Sequence, residues 1–131
     1  MKKTLFLFTI LLIYIETSFA QTNPAITAWI QNHDGTTGRH YVANNPTPID
    51  DGVLANVQSV DYSDNWVYVS ATGIPSYITG PFLDNNPSLA TDQQAIYKIS
   101  LNPTQNLGTA TNTTGGNIGV FVNGVSLFDY R

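Results

Sequence analysis

The chain has 131 residues, of which 42% are hydrophobic, 11% aromatic and only 11% charged, and it contains no cysteine. That length fits one domain, and the missing thiols exclude a disulfide framework, a Cys-ligated zinc site and a thiol nucleophile. A formal net charge of −4 excludes a nucleic-acid partner on bulk electrostatics.

Lys2 and Lys3 precede an eleven-residue apolar run, Leu5 to Ile15, and Ser18-Phe19-Ala20 places small residues at −3 and −1 before Gln21. This is the layout of a cleavable secretory signal peptide over 1–20. A membrane-spanning helix needs about 20 apolar residues, and Glu16 ends this run early. No cysteine follows it to carry a lipid. The expected product is secreted, extracellular or periplasmic, and free of the membrane after cleavage.

The remaining domain, 21–131, sets eight Asp against Lys98, Arg39 and Arg131 with no Glu, a formal charge of −5. It is rich in Asn, Thr, Gly, Pro and Ser, which favour turns, caps and strands over helix interiors. The strong helix formers Glu and Lys are almost missing. Regularly spaced β-branched and aromatic runs distinguish it from low-complexity disorder. The pattern predicts an all-β fold of mostly antiparallel, sandwich-like sheets joined by long loops.

In chain order, Ala25 to Gln31 alternates Ile26, Ala28 and Ile30 against Thr27, Trp29 and Gln31, which predicts a strand. Asn32 to Gly52 is turn-rich, with Asp34-Gly35, Asn45-Pro46 and Asp50-Asp51-Gly52, and Arg39 to Ala43 offers a short extra strand inside it. Val53 to Tyr62 and Trp66 to Thr72 are the next runs, with Ser63-Asp64-Asn65 as a hairpin turn. In the second of these, Val67, Val69 and Ala71 point one way while Trp66, Tyr68, Ser70 and Thr72 point the other. Pro75, Pro81 and Pro87 mark Gly73 to Ala90 as loop. Ala95 to Leu101 alternates Tyr97, Ile99 and Leu101 against Lys98 and Ser100, and Asn102-Pro103 ends it. Thr104 to Asn117 reads as loop or edge. No fixed-period repeat marks a solenoid.

Asn123-Gly124 lies between two apolar runs and predicts a type I′ hairpin, since both central positions of that turn need φ > 0. The register then sets Val122 opposite Val125, Val120 opposite Leu127 and Phe121 opposite Ser126. Ile118, Val120, Val122, Val125 and Leu127 share one face, and Phe121, Phe128 and Tyr130 the other. A hairpin apolar on both faces calls for cover on both. The chain stops at Arg131, so the domain is expected to be incomplete at its C-terminus, and the missing C-terminal half of the same chain is the expected cover.

Tyr97-Lys98-Ile99-Ser100-Leu101-Asn102-Pro103 and Gly116-Asn117-Ile118-Gly119-Val120-Phe121-Val122-Asn123-Gly124-Val125 resemble the N-terminal half of the YHYH-domain family, as do Gly73-Ile74-Pro75 and Gly80-Pro81-Phe82. These are secreted, mostly bacterial proteins named for a Tyr-His-Tyr-His motif. The likeness runs over Val53 to Tyr130, and its most specific element is the Asn-Gly-Val hairpin. The motif itself would lie beyond Arg131, and His40-Tyr41 is an echo in the wrong region. The resemblance implies secretion and a downstream His/Tyr-rich stretch, and it carries no reaction or residue role onto this sequence.

His33 and His40 are spaced i, i+7 across Gly35 and Gly38, which matches no compact metal motif. They read as solvated loop histidines, or as ligands completed by later residues. Asp50-Asp51-Gly52 and Asp84-Asn85-Asn86 offer oxygen ligands of the kind Ca2+ prefers, without EF-hand spacing; the same residues build Asx-turns. The metal candidates are therefore Asp50, Asp51, His33 and His40, for Ca2+ or another divalent metal, and no other cofactor is expected in this stretch.

A glycosidase needs two opposed carboxylates, and sequence alone pairs none of the aspartates. No Gly-x-Ser-x-Gly elbow is present, and two loop histidines are poor material for a Ser-His-Asp triad, which only geometry reveals. Trp29, Trp66 and Tyr68 lie on faces otherwise carrying Thr, Gln and Ser. They could stack sugar rings, or form a second packed layer with their polar tips satisfied. Three cations cannot build the positive groove that stacked nucleic acid needs. Asn112-Thr113-Thr114 fits a glycosylation sequon.

These features lead to a non-catalytic extracellular binding or scaffold module whose partner is a glycan or an extracellular protein. The alternative is the N-terminal part of a metal-binding protein or enzyme whose His/Tyr-rich site lies beyond Arg131. If the last ribbon lacks its cover, residues 21–131 alone will associate through open edges or bind a hydrophobic dye. A sharp cooperative melt of a clean monomer contradicts this.

Overall fold

The computed structural model describes residues 23–82, 89–110, 112 and 115–129. The leader over 1–20, the Asp84-Asn85-Asn86 cluster, Thr113 and Thr114 of the sequon, and Tyr130 lie outside the described residues. Strands dominate, in mostly antiparallel sheets. Among the described residues no helix is long and apolar enough to cross a membrane.

The first departure from the sequence reading comes at Ala25 to Gln31, where the alternation is not used by a strand. A single helical turn, α1, spans Pro24–Thr27. Its signals are local: the Asn23 side chain accepts a hydrogen bond from the Ala25 backbone N–H at 2.9 Å, and Pro24 opens the helix. Asn at the N-cap with Pro at the first helical position is a strong start signal. Only Gln31 keeps extended pairing, through one parallel bridge to Val57.

Two strands occupy part of the turn-rich segment that follows. β1 covers Thr37–His40 and β2 covers Ile49–Leu54, paired antiparallel. Their register slips between Thr37 and Arg39, where β2 passes through Gly52 at φ 67°. The expected run from Val53 to Tyr62 is likewise broken. Asn56 adopts φ 67° and turns the chain into β3, Val57–Tyr62. Asn is among the few residues that tolerate this left-handed region. Here its N–H donates to the Ile74 carbonyl at 2.7 Å and its Oδ1 accepts from the Ser76 N–H at 3.1 Å.

β4, Trp66–Ala71, pairs antiparallel with β3 through the Ser63–Asn65 turn, and with β6, Ala95–Ser100. The proline-rich segment before β6 contributes β5, Ile78–Thr79, which lies parallel to β1. Two three-stranded sheets result, in the orders β2-β1-β5 and β3-β4-β6. Strict alternation would send Val57 and Val60 to opposite faces of β3. A bulge between Val57 and Ser59 inserts one residue, and such an insertion re-aims the side chains that follow; Val57 and Val60 both reach the core.

The core lies on one face of β3-β4-β6. Val57, Val67 and Val69 are fully buried with Ala71, and Ala25, Ile26, Trp29, Val60, Tyr97, Ile99 and Leu101 pack around them. Each fully buried valine contributes on the order of 1.5–3 kcal/mol relative to exposure. β7, Asn117–Val120, and β8, Ser126–Phe128, form a hairpin whose tip closes over this face. Tyr97 shares a 2.5 Å hydrogen bond with Ser126 Oγ, and the Ile30 N–H donates to the Val122 carbonyl at 2.8 Å.

That hairpin is not closed by a type I′ turn. Gly124 donates to the Phe121 carbonyl at 2.8 Å and Phe121 donates to the Val125 carbonyl at 2.9 Å. Only Gly124 in this turn has positive φ, 81°. The loop is therefore Val122-Asn123-Gly124, a tight turn followed by a left-handed glycine bulge. The register moves by one, so Val120 faces Ser126 and Gly119 faces Leu127. The reason is tertiary: a Cβ on Gly124 would run into Ala71 Cβ and lie 3.4 Å from Val57, so the glycine sits where the tip meets the sheet. Phe121 and Phe128 remain 52% and 65% exposed.

Gly124→Ala should therefore cost more than a left-handed alanine alone, which is worth about 1–2 kcal/mol; overpacking adds roughly 1–3 kcal/mol. Gly35, at φ 76° with nothing near its missing Cβ, is the control for the backbone component. Equal losses for Gly35→Ala and Gly124→Ala in denaturant unfolding would refute the docked tip.

Candidate ligand-binding face

Burial of Val67, Val69 and Ala71 leaves the alternate residues of β4 no choice of direction. Trp66 and Tyr68 emerge on the outer face of the β3-β4-β6 sheet, 37% and 36% exposed. Cross-strand register supplies their neighbours. Asp61 of β3 and Lys98 of β6 stand directly opposite Tyr68 on its two sides, and Ser100 stands opposite Trp66. Lys98 is diagonal to Trp66, within reach of a long side chain. Its Nζ lies 4.2 Å from the centre of the Trp66 ring and 6.0 Å from that of Tyr68, a cation–π arrangement.

Further along β4 lies an open cleft of about 300 Å³ lined by Gln58, Ser70, Ala71, Thr72, Asp92, Gln94 and Ile96. Ser70 is the register partner of Ser59 on one side and Ile96 on the other. Ile96 is 72% exposed and forms the apolar rim. Aromatic rings, hydroxyls, the Lys98 ammonium and the Asp61 carboxylate thus share one sheet surface, with Asp92 and Gln94 on the segment just before β6.

Trp29 is not part of it. It packs against the buried valines on the opposite face, and its indole N–H donates to the Ala25 carbonyl at 2.6 Å. Of the three stacking candidates, only Trp66 and Tyr68 are brought together.

Of the four metal candidates, two are brought together and two are not. His40 and Asp51 meet across β1 and β2, His40 Nδ1 hydrogen-bonding to Asp51 Oδ1, with both side chains about nine-tenths buried. Gly38 makes room for them, because a Cβ there would crowd Asp51 Oδ2 at 2.8 Å and run into Ile74. Asp50, the next residue on the strand, faces the other way. It accepts from the Gly52 N–H at 2.7 Å and from the Thr37 hydroxyl at 2.9 Å. His33 is exposed in the Asn32–Gly35 turn. Among the described residues no group of three His, Cys, Asp or Glu side chains is placed to hold a metal.

Hydrogen bonding sets the acidity of two exposed aspartates, Asp50 on β2 and Asp34 in the turn before β1. The Gly52 N–H, then the Thr37 hydroxyl and the Arg39 charge, hold Asp50 below the ordinary carboxylate value. Thr36, through its side chain and backbone, does the same for Asp34.

Lys98, Asp61 and the cleft residues carry no motif that sequence reading could find, because only the register of three strands assembles them. The chain matches no family model, no curated protein and no solved structure.

A lowered folded pKa means that the Asp50 contribution to stability is complete above the unfolded carboxylate range and is lost as pH falls through the folded value. An NMR titration should place Asp50 below an ordinary aspartate, and Thr37→Val should raise it. An unshifted Asp50 in the native protein would contradict the bonding described.

Proposed function

We propose that this chain is a non-catalytic glycan-binding module of a secreted, YHYH-type protein with sandwich-like sheets, and that the outer face of β3-β4-β6 is its binding surface. The reading is supported above all by Trp66 and Tyr68, two half-exposed rings held side by side on a core-anchored strand. Such rings offer large, rigid, apolar area with a polar edge. The flanking Asp61, Lys98 and Ser100, and the cleft residues Gln58, Asp92 and Gln94, supply the donors and acceptors that hydroxyl-rich ligands require.

A rigid platform also binds at low entropic cost, because neither ring has to be ordered when the ligand arrives. Burial of the opposite face by Val67 and Val69 provides that rigidity. The residue types on the outer face suit recognition rather than bond-breaking: Asp61 is bonded to the Ser59 hydroxyl at 3.3 Å, and no described histidine shares the face with it.

Affinity electrophoresis against a panel of soluble polysaccharides, followed by calorimetry with the best binder, tests this. Trp66→Ala and Tyr68→Ala should each weaken binding about tenfold or more, the effect of removing a central aromatic anchor. Folding stability should fall by roughly 1–3 kcal/mol, since more than half of each residue is covered on the central strand, with the cooperative transition retained. Glycan binding that survives both substitutions, or no binding across the panel, would eliminate the reading.

A further inference from the structure

Resting on the glycan-binding reading, we infer that the preferred ligand is a glycan bearing free amines, a polyglucosamine of the chitosan type, and that Lys98 holds the ammonium position in the unliganded protein. The carrying observation is the placement of the Lys98 Nζ, 4.2 Å from the Trp66 ring centre and 6.0 Å from that of Tyr68. The face already seats an ammonium on its indole.

A sugar that stacks on Trp66 has to displace that group. A neutral sugar removes the cation–π contact and returns nothing in kind. An amino sugar presents its C–H face to one ring and restores an ammonium to the other. Its charge is also the one the surroundings favour. Asp61 stands directly opposite Tyr68, Asp92 borders the adjoining cleft, and Lys98 is the only lysine beyond residue 20 in a piece with a formal charge of −5. A uronate on the rings would gain Lys98 but face Asp61 and that net charge. Like-charge juxtaposition of this kind is a strong discriminator between partners.

Lys98 is then an internal competitor, and its removal has opposite effects for the two ligand charges. Lys98→Ala should strengthen chitosan-oligomer binding by about threefold, the scale of an exposed cation–π contact, whereas it should weaken binding of a uronate oligomer.

Calorimetry of the secreted protein with chitosan oligomers, their fully N-acetylated counterparts and oligogalacturonates separates the cases. The expected results are tightest binding to the free-amine form, loss of that preference when the amines are deprotonated, tighter binding by Lys98→Ala and weaker binding by Asp61→Asn. Trp66→Ala should abolish the interaction. Equal affinity for acetylated oligomers, preference for the uronate, or a weaker or unchanged Lys98→Ala overturns the inference. Chitosan binding insensitive to Trp66→Ala reveals bulk charge attraction only and overturns it too. Trp66-dependent binding of a different glycan leaves the glycan-binding reading standing while this inference falls. No Trp66-dependent binding of any glycan removes both.

Discussion

The period-two geometry of β4 governs this molecule. Its inward residues Val67, Val69 and Ala71 are the centre of the core, and the pleat then compels Trp66 and Tyr68 to face outward. One strand therefore supplies both the main apolar burial and the aromatic platform. Because β4 is the middle strand, held by β3 on one side and β6 on the other, the platform inherits the rigidity of the core. A register slip by one residue would exchange the two sets and destroy both.

The inner face is closed by elements that local propensity alone would not place there. The one-turn helix α1 brings Ala25, Ile26 and Trp29 against the valines. The β7-β8 hairpin brings a glycine to Ala71, where any larger residue would collide. Side-chain amides tie the corners that these arrivals create. Asn32 donates to the carbonyls of Thr36 and Ala55 at 2.7 and 2.8 Å, and Asn56 joins the start of β3 to the loop around Ile74. Backbone groups buried at irregular corners need such partners, since an unpaired one costs about as much as a lost hydrogen bond. The Asn-rich composition has a structural use here. Among the described residues no buried side-chain nitrogen or oxygen is left without a partner.

The same logic separates polar residues that look alike in the sequence. Asp50 and Asp51 are adjacent, yet strand alternation turns one to solvent and the other inward to His40. His40 is buried because Gly38 and Ile74 shape a place for it, whereas His33 stays in an exposed turn. Trp29 and Trp66 both follow an alternating pattern, but only Trp66 lies on a strand whose partners enforce that pattern. Trp29 follows the C-cap of α1 at Ala28, and its indole N–H is consumed by the turn it leaves.

By itself the sequence determined the β-rich class, the Ser63–Asn65 turn, the division of β4 and β6 into two alternating sets, and the existence of the last hairpin. Each depends on short-range chemistry, namely side-chain period, β-branching and turn residues. Tertiary structure alone decided the glycine bulge at Gly124, the inward turn of Val60 through the β3 bulge, the meeting of His40 with Asp51, and the gathering of Asp61, Lys98 and Trp66 around Tyr68. Those features depend on which strand lies beside which and in what register. That choice is made by the total burial of apolar surface across the sheet, a quantity that no single segment carries.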